Sequence, residues 1–275
     1  MDQSPRERFA ELARVPDDAI DLGEAALLIA AEAYPTLDVA AYLARLDALA
    51  HEAKRALGGA RGGVAAVERL IHFLFAEKRF VGNHADYYDR RNSFLNEVLD
   101  RRKGIPLTLT LVFMEVARRL GLHVEGVSFP GHFLAKYVGD AEIIIDAFFG
   151  QVLTKRQCRE RLQAVLGPDA TLEPRYLETA SAKEILIRML RNLKHIYLNA
   201  AEFEQALTCC DRILLLVPNL PHELRDRGLV YQQLECYGAA VSDLERFLQL
   251  APEDDSAAAI REELLKLSKL AARIH

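Results

Sequence analysis

A change of hydrophobic period within residues 104–150 constrains this chain most. The run P-L-T-L-T-L-V-F-M-E-V-A beginning at Pro106 is apolar almost all round, which suits a helix enclosed on every side rather than a surface helix. Pro106 fits the first turn, where a missing N–H costs nothing, and Gly121 follows the last residue, Leu120. From Val124 the period becomes two: V-E-G-V-S-F, the turn Pro130–Gly131, H-F-L-A-K-Y-V, the turn Gly139–Asp140, and E-I-I-I-D-A-F. A buried helix followed by an antiparallel meander predicts an α+β core.

The chain before this segment reads as helical. Asp21 and Glu24 in D-L-G-E form a capping box ahead of the apolar stretch 25–33, which Pro35 stops. A second helix is expected from about Asp38 to Leu57, ended by Gly58–Gly59, and a third from Val64 to Phe75. A looser stretch, G-N-H-A-D-Y-Y, leads to Asn92 and Ser93, either of which suits the cap of a short helix ending near Arg102 and broken by Gly104.

Beyond the meander lies a repeat. Tyr197, Phe203, Ala206 and Pro218 recur 34 residues later as Tyr231, Tyr237, Ala240 and Pro252. That is the tetratricopeptide period, and it predicts paired helices over 181–275. The final helix (257–274) and the α+β part are expected to cap so short a stack. Residues 1–180 then form a helical N-terminal part and the core (about 64–155).

Composition narrows the function classes. With 51% apolar residues, 27% charged and a net charge of −5, a buried core is expected and a dedicated nucleic-acid surface is not. No apolar run is long enough to span a bilayer, and the first residues lack a signal peptide's apolar stretch. The four cysteines (Cys158, Cys209, Cys210, Cys236) form no C-x-x-C pair, and the eight histidines no H-x-x-x-H pair. A reduced, cytoplasmic protein with no metal and no cofactor is the expectation.

The meander places chemistry on successive strands. His132 and Asp146 face each other if the loop between their strands has an odd length, such as 138–140 with Gly139 at positive φ; a two-residue turn would put them on opposite faces. Facing, the aspartate orients the imidazole as in a nucleophile–base–acid triad. The alternative is structural: His132 bonds a carbonyl after its turn and Asp146 caps a strand end.

The segments N-S-F-L-N-E-V-L, G-I-P-L-T-L-T-L-V-F-M-E-V-A-R-R-L-G-L, G-V-S-F-P-G-H-F-L and I-D-A-F-F-G resemble the transglutaminase-like proteins of the SirB family, which join a transglutaminase/papain-like core to a tetratricopeptide region. The resemblance implies that His132 and Asp146 correspond to the superfamily's histidine and aspartate. Its cysteine, at the start of the central helix, falls on Pro106, and neither neighbour is a thiol. A helix N-terminus lowers a thiol pKa and stabilises an oxyanion; proline there supplies neither nucleophile nor amide donor.

Asn92, Ser93, Pro106, Thr108 and Glu115 are the candidates for lining the cleft. Ser93 and Thr108 carry hydroxyls better explained as a cap and a backbone hydrogen bond. Glu115, in an apolar helix, needs an arginine or a cavity. The expected function is a non-catalytic regulatory or protein-binding module, using the cleft and the repeats to engage a protein or peptide. The alternative is a hydrolase or acyl-transfer enzyme in which His132 and Asp146 work with a non-cysteine nucleophile or an activated water.

Overall fold

A computed structural model describes residues 3–60 and 62–274. The chain divides into two compact units, Met1–Met189 and Leu190–His275, and the architecture is α+β. The division falls later than residue 180 because the first turns of the helix starting at Ala182 belong to the core: Ile185 packs against the sheet at Gly126.

The N-terminal helices are α1 (Pro5–Leu12), α2 (Leu22–Ala33), α3 (Val39–Ala56) and α4 (Gly63–Ile71), the last continuing as a π-helical turn, His72–Glu77. Asp21 and Asp38 cap α2 and α3, their carboxylates accepting from the N–H of Glu24 and Ala41. Helix α1 is an element the sequence reading did not anticipate; Ser4 and Glu7 form its capping box.

The next segment departs from expectation. Neither Asn92 nor Ser93 caps a helix. Both lie in a 3₁₀ turn, Arg90–Ser93, and α5 (Leu95–Arg101) starts after Phe94. Arg102, in the left-handed conformation, ends α5. Gly104 does not break it; it enters a two-residue strand, β2 (Lys103–Gly104), parallel to β1 (Val81–Gly82).

Helix α6 (Pro106–Arg119) is the buried central element, with Pro106 at its first position and only Met114, Arg118 and Arg119 reaching solvent. The sheet follows as a meander: β3 (Val124–Val127), β4 (Leu134–Val138), β5 (Glu142–Asp146) and an unanticipated fourth strand, β6 (Gln151–Leu153). Helix α7 (Lys155–Leu166) covers one face, burying Cys158 and Leu162 against Val127, Phe129, Leu134 and Ile144.

Helix α8 (Ala182–Asn199) carries the chain into the second unit, made with α9 (Phe203–Leu216), α10 (Pro221–Gln233), α11 (Tyr237–Leu250) and α12 (Ala257–Ile274). The repeat is exact at its turns. Ala201 and Glu235, 34 residues apart, are both left-handed, and the next residue's N–H bonds back to Tyr197 and Tyr231 respectively. Ala206 and Ala240 are fully buried, as small residues must be where helices of adjacent pairs approach.

Candidate functional site

The Pro130–Gly131 turn closes with a hydrogen bond from the His132 N–H to the Phe129 carbonyl, 3.0 Å, and Gly131 takes φ +66°, as the third residue of a type II turn must. His132 therefore stands just before β4 rather than on it. Strand pairing runs from Val138↔Glu142 to Ala135↔Ile145, so the loop is 139–141, not 138–140. Gly139 is not in the left-handed region. The loop length is odd, so face is preserved; the register differs by two residues, and His132 meets Asp146 diagonally.

The two side chains are hydrogen-bonded, His132 Nε2 to Asp146 Oδ1, at 3.0 Å. A carboxylate only accepts, so Nε2 carries the proton and Nδ1 is the basic atom of the neutral ring. Asp146 is fully buried and the His132 side chain is 15% exposed. The same Oδ1 also accepts the N–H groups of Phe148 (3.0 Å) and Phe149 (3.3 Å), so Asp146 both orients the histidine and caps the strand end. Arg161 of α7 places Nη2 2.9 Å from Oδ2, off the line of a hydrogen bond. That oxygen is met by charge alone.

Aromatic rings surround this pair. Phe148 is buried, 6.2 Å from the His132 ring, 4.4 Å from His84 and 6.2 Å from Tyr87. It lies so close over Gly82 that a Cβ there would sit 2.5 Å from the ring. Phe149 is half exposed, stacks on His132 at 6.5 Å and has the Arg161 guanidinium 5.0 Å from its centre. Arg188, in the first half of α8, donates from Nη2 to the His132 carbonyl at 2.7 Å.

The other anticipated residues fall into separate groups. Asn92 is buried; it accepts from Asn83 Nδ2 at 3.0 Å and donates to the carbonyls of Asp86 (2.7 Å) and Tyr87 (3.2 Å). It thus fixes the loop that presents His84 and Tyr87. Thr108, fully buried, donates its hydroxyl to the Asn92 carbonyl at 2.6 Å and accepts from Ile105 N–H at 3.2 Å. Ser93 is buried at the end of its 3₁₀ turn.

Pro106 is buried beside this group. The Gly104 carbonyl accepts from Asn83 N–H at 3.0 Å, and Gly82, one residue earlier, carries Phe148. Glu115 is apart from all of these, buried and paired with Arg118 (2.9 Å) and Arg119. It borders a cavity of about 530 Å³ with Asp18, Asp21 and His123.

Arg161, Arg188, His84 and Tyr87 were not singled out from sequence. Arg161 lies in K-R-Q-C-R-E-R, which reads as an ordinary amphipathic helix; Phe148 and Phe149, just beyond Asp146 in D-A-F-F, carry the only local signal. Cys158, the one cysteine of the first unit, is buried. Burial pushes its thiol above the ordinary value, Arg161 opposing and Asp146 adding to the rise.

Residues 40–191 match the transglutaminase-like superfamily and 193–264 the tetratricopeptide repeat. The chain belongs to the transglutaminase-like superfamily. Among relatives of this superfamily member, a UPF0162 protein of Xylella fastidiosa (strain Temecula1) is 40% identical over 96% of both chains. One of Vibrio cholerae is 34% identical over 91% of this chain and 94% of its own. The UPF0162 protein YchA of Escherichia coli (strain K12) is 31% identical over 86% and 90%. These names carry no activity and do not use the SirB label. No helix among the described residues is long and apolar enough to cross a membrane, and no group of histidine, cysteine or acidic side chains among them could hold a metal ion.

Proposed function

We propose that this transglutaminase-like protein of SirB type is a binding or regulatory module, acting in the cytoplasm on a protein or peptide, and not a catalyst. The observation that carries the reading is the first turn of α6. Pro106, which the resemblance sets at the thiol position, offers no nucleophile, and the nearby Thr108 hydroxyl has its proton committed to the Asn92 carbonyl. Cys158 is a buried thiol held in its neutral form, and a thiol rather than a thiolate is a poor nucleophile.

The electrostatics point the same way. In a working triad the acid's charge is available to an imidazolium; here Arg161 and two backbone N–H groups share the charge of Asp146. The tetratricopeptide-like unit supplies a second surface of the kind that engages peptides. One observation favours the alternative of a water activated by Nδ1: the His132–Asp146 hydrogen bond is intact.

The test compares wild type with His132→Ala across a broad panel of peptide, ester and amide substrates. Equal, background-level rates are expected. Turnover that disappears with His132 would make the protein an enzyme.

A further inference from the structure

Arg188 is a half-buried arginine that, among the described residues, has no carboxylate within ion-pair distance. Its protein contacts are few: Nη2 donates to the His132 carbonyl at 2.7 Å, and the guanidinium lies 5.4 Å from the centre of the Phe133 ring. A guanidinium stays charged and presents five N–H donors in a planar fork. One bond to a carbonyl leaves most of that fork unused. Arg118 and Arg119 are answered by Glu115 and Arg161 by Asp146, while Arg69 and Arg102, which also bond carbonyls, are exposed to solvent.

Arg188 bonds the His132 carbonyl, and Tyr87 borders the same Phe148 ring as His132, near enough to Arg188 for the two charges to interact. Burial pushes the Tyr87 phenol up, Arg188 opposing, so at neutral pH the hydroxyl is a neutral donor. Burial likewise works against the Arg188 cation, and an anion is what would relieve that cost. The backbone at Tyr87 is held in place by Asn92, which donates to both the Asp86 and Tyr87 carbonyls. Tyr87 and His132 also border the same Phe148 ring. The position is therefore built, not incidental.

Around it the surface is apolar and open. Phe149 is 51% and Tyr87 42% exposed, and Val165, 52% exposed, packs over Gly131 beside His132. Apolar area next to an unanswered guanidinium matches a ligand with the same two features.

We propose that Arg188 and Tyr87, beside His132, form a carboxylate-binding subsite that takes a peptide carboxylate adjoining an apolar or aromatic side chain. The inference rests on the binding reading above, since a carboxylate is the product state of an acyl group and offers no acyl transfer. The charge-assisted fork of Arg188 supplies selectivity: an amide of the same shape has one acceptor oxygen and no negative charge, so it cannot take the parallel two-bond pairing.

The experiment titrates the full-length protein with three probes, following its histidine ring signals by NMR. The probes are N-acetyl-phenylalanine, its neutral amide, and N-acetyl-phenylalanyl-glutamic acid α-amide, whose only carboxylate is on the side chain. At least one carboxylate probe should bind while the neutral amide does not, and whichever binds assigns the carboxylate to a chain terminus or a side chain. Arg188→Gln should weaken that binding about tenfold or more. Arg188→Lys, which keeps the charge and loses the fork, should fall between, and it serves if the glutamine variant does not fold. Equal binding of amide and acid, no binding by either acid, or affinity unchanged in both variants overturns the proposal. A carboxylate-selective protein that also shows His132-dependent turnover would sink only the non-catalytic reading.

Discussion

The two units both bury carboxylates against cations, and they close those networks differently. In the tetratricopeptide-like unit, Arg227 bridges Asp211 at 2.9 Å and Asp243 at 2.6 Å. Lys194 binds buried Glu223 and, at 2.7 Å, Asp226. Those charges answer one another between helices. In the core unit, Asp146 is answered by His132, Arg161 and two amides, but the groups around it are not all answered in turn. Among the described residues, Nδ1 of His132 has no thiol bonded to it and Arg188 has no acid within ion-pair distance. A closed network holds helices together; an open one leaves hydrogen-bonding capacity unused.

The largest effect should come from opening the closed network. Arg227→Met leaves Asp243 buried without its cation and should cost roughly 3–5 kcal/mol, read as a fall in the denaturant midpoint. A smaller cost would mean that the second unit does not depend on its ion pairs. Asp146→Asn keeps an oxygen for the two amides but removes the charge facing Arg161. It should cost about 2–3 kcal/mol, and removing the carboxylate charge bonded to the imidazole should shift the His132 ring signals. An unchanged His132 environment would show that Asp146 is only a strand cap.

Gly82→Ala sharpens the comparison from the packing side. Its Cβ would meet the Phe148 ring, and overpacking of this kind costs roughly 1–3 kcal/mol. Because Phe148 borders His84, Tyr87 and His132, the shift should appear in the histidine signals before it appears in the melting curve.

The smallest effect concerns acid stability. Burial alone would raise the Asp226 carboxyl, but the Lys194 hydrogen bond and charge, with Arg225, hold it below its ordinary value. With a folded value below an unfolded one of about 3.9, its stabilisation is complete above that pH and is lost as the pH falls through the folded value. Asp226→Asn should therefore flatten the acid limb of a thermal melt series from pH 6 to pH 3. An unchanged limb would assign acid sensitivity elsewhere.

What was legible in the sequence follows from the range of the forces involved. Helix α6, the meander and the repeat turns are dictated by local periodicity over many residues, and they stand where that pattern put them. The facing of His132 and Asp146 was legible as parity, because any odd loop keeps the face. Register was not, since a three-residue loop centred on Gly139 or on Asp140 satisfies the same pattern and leaves Ile143 and Ile145 on the same face. Asn92 and Ser93 resembled helix caps because their side chains suit that role; Asn92 instead ties the 83–87 loop to α6, a tertiary role no neighbour in sequence announces. Arg161 and Arg188 reach the site from helices far along the chain, and an arginine on a polar helix face carries no local sign of what it will meet.

The central claim is that no residue of the core serves His132 as a nucleophile. Intact-mass and peptide mapping of wild type after incubation with activated acyl esters tests it most directly. The account predicts no acyl adduct at Thr108, Ser93 or Cys158. An adduct on one of them that forms with wild type and is abolished by His132→Ala would contradict it.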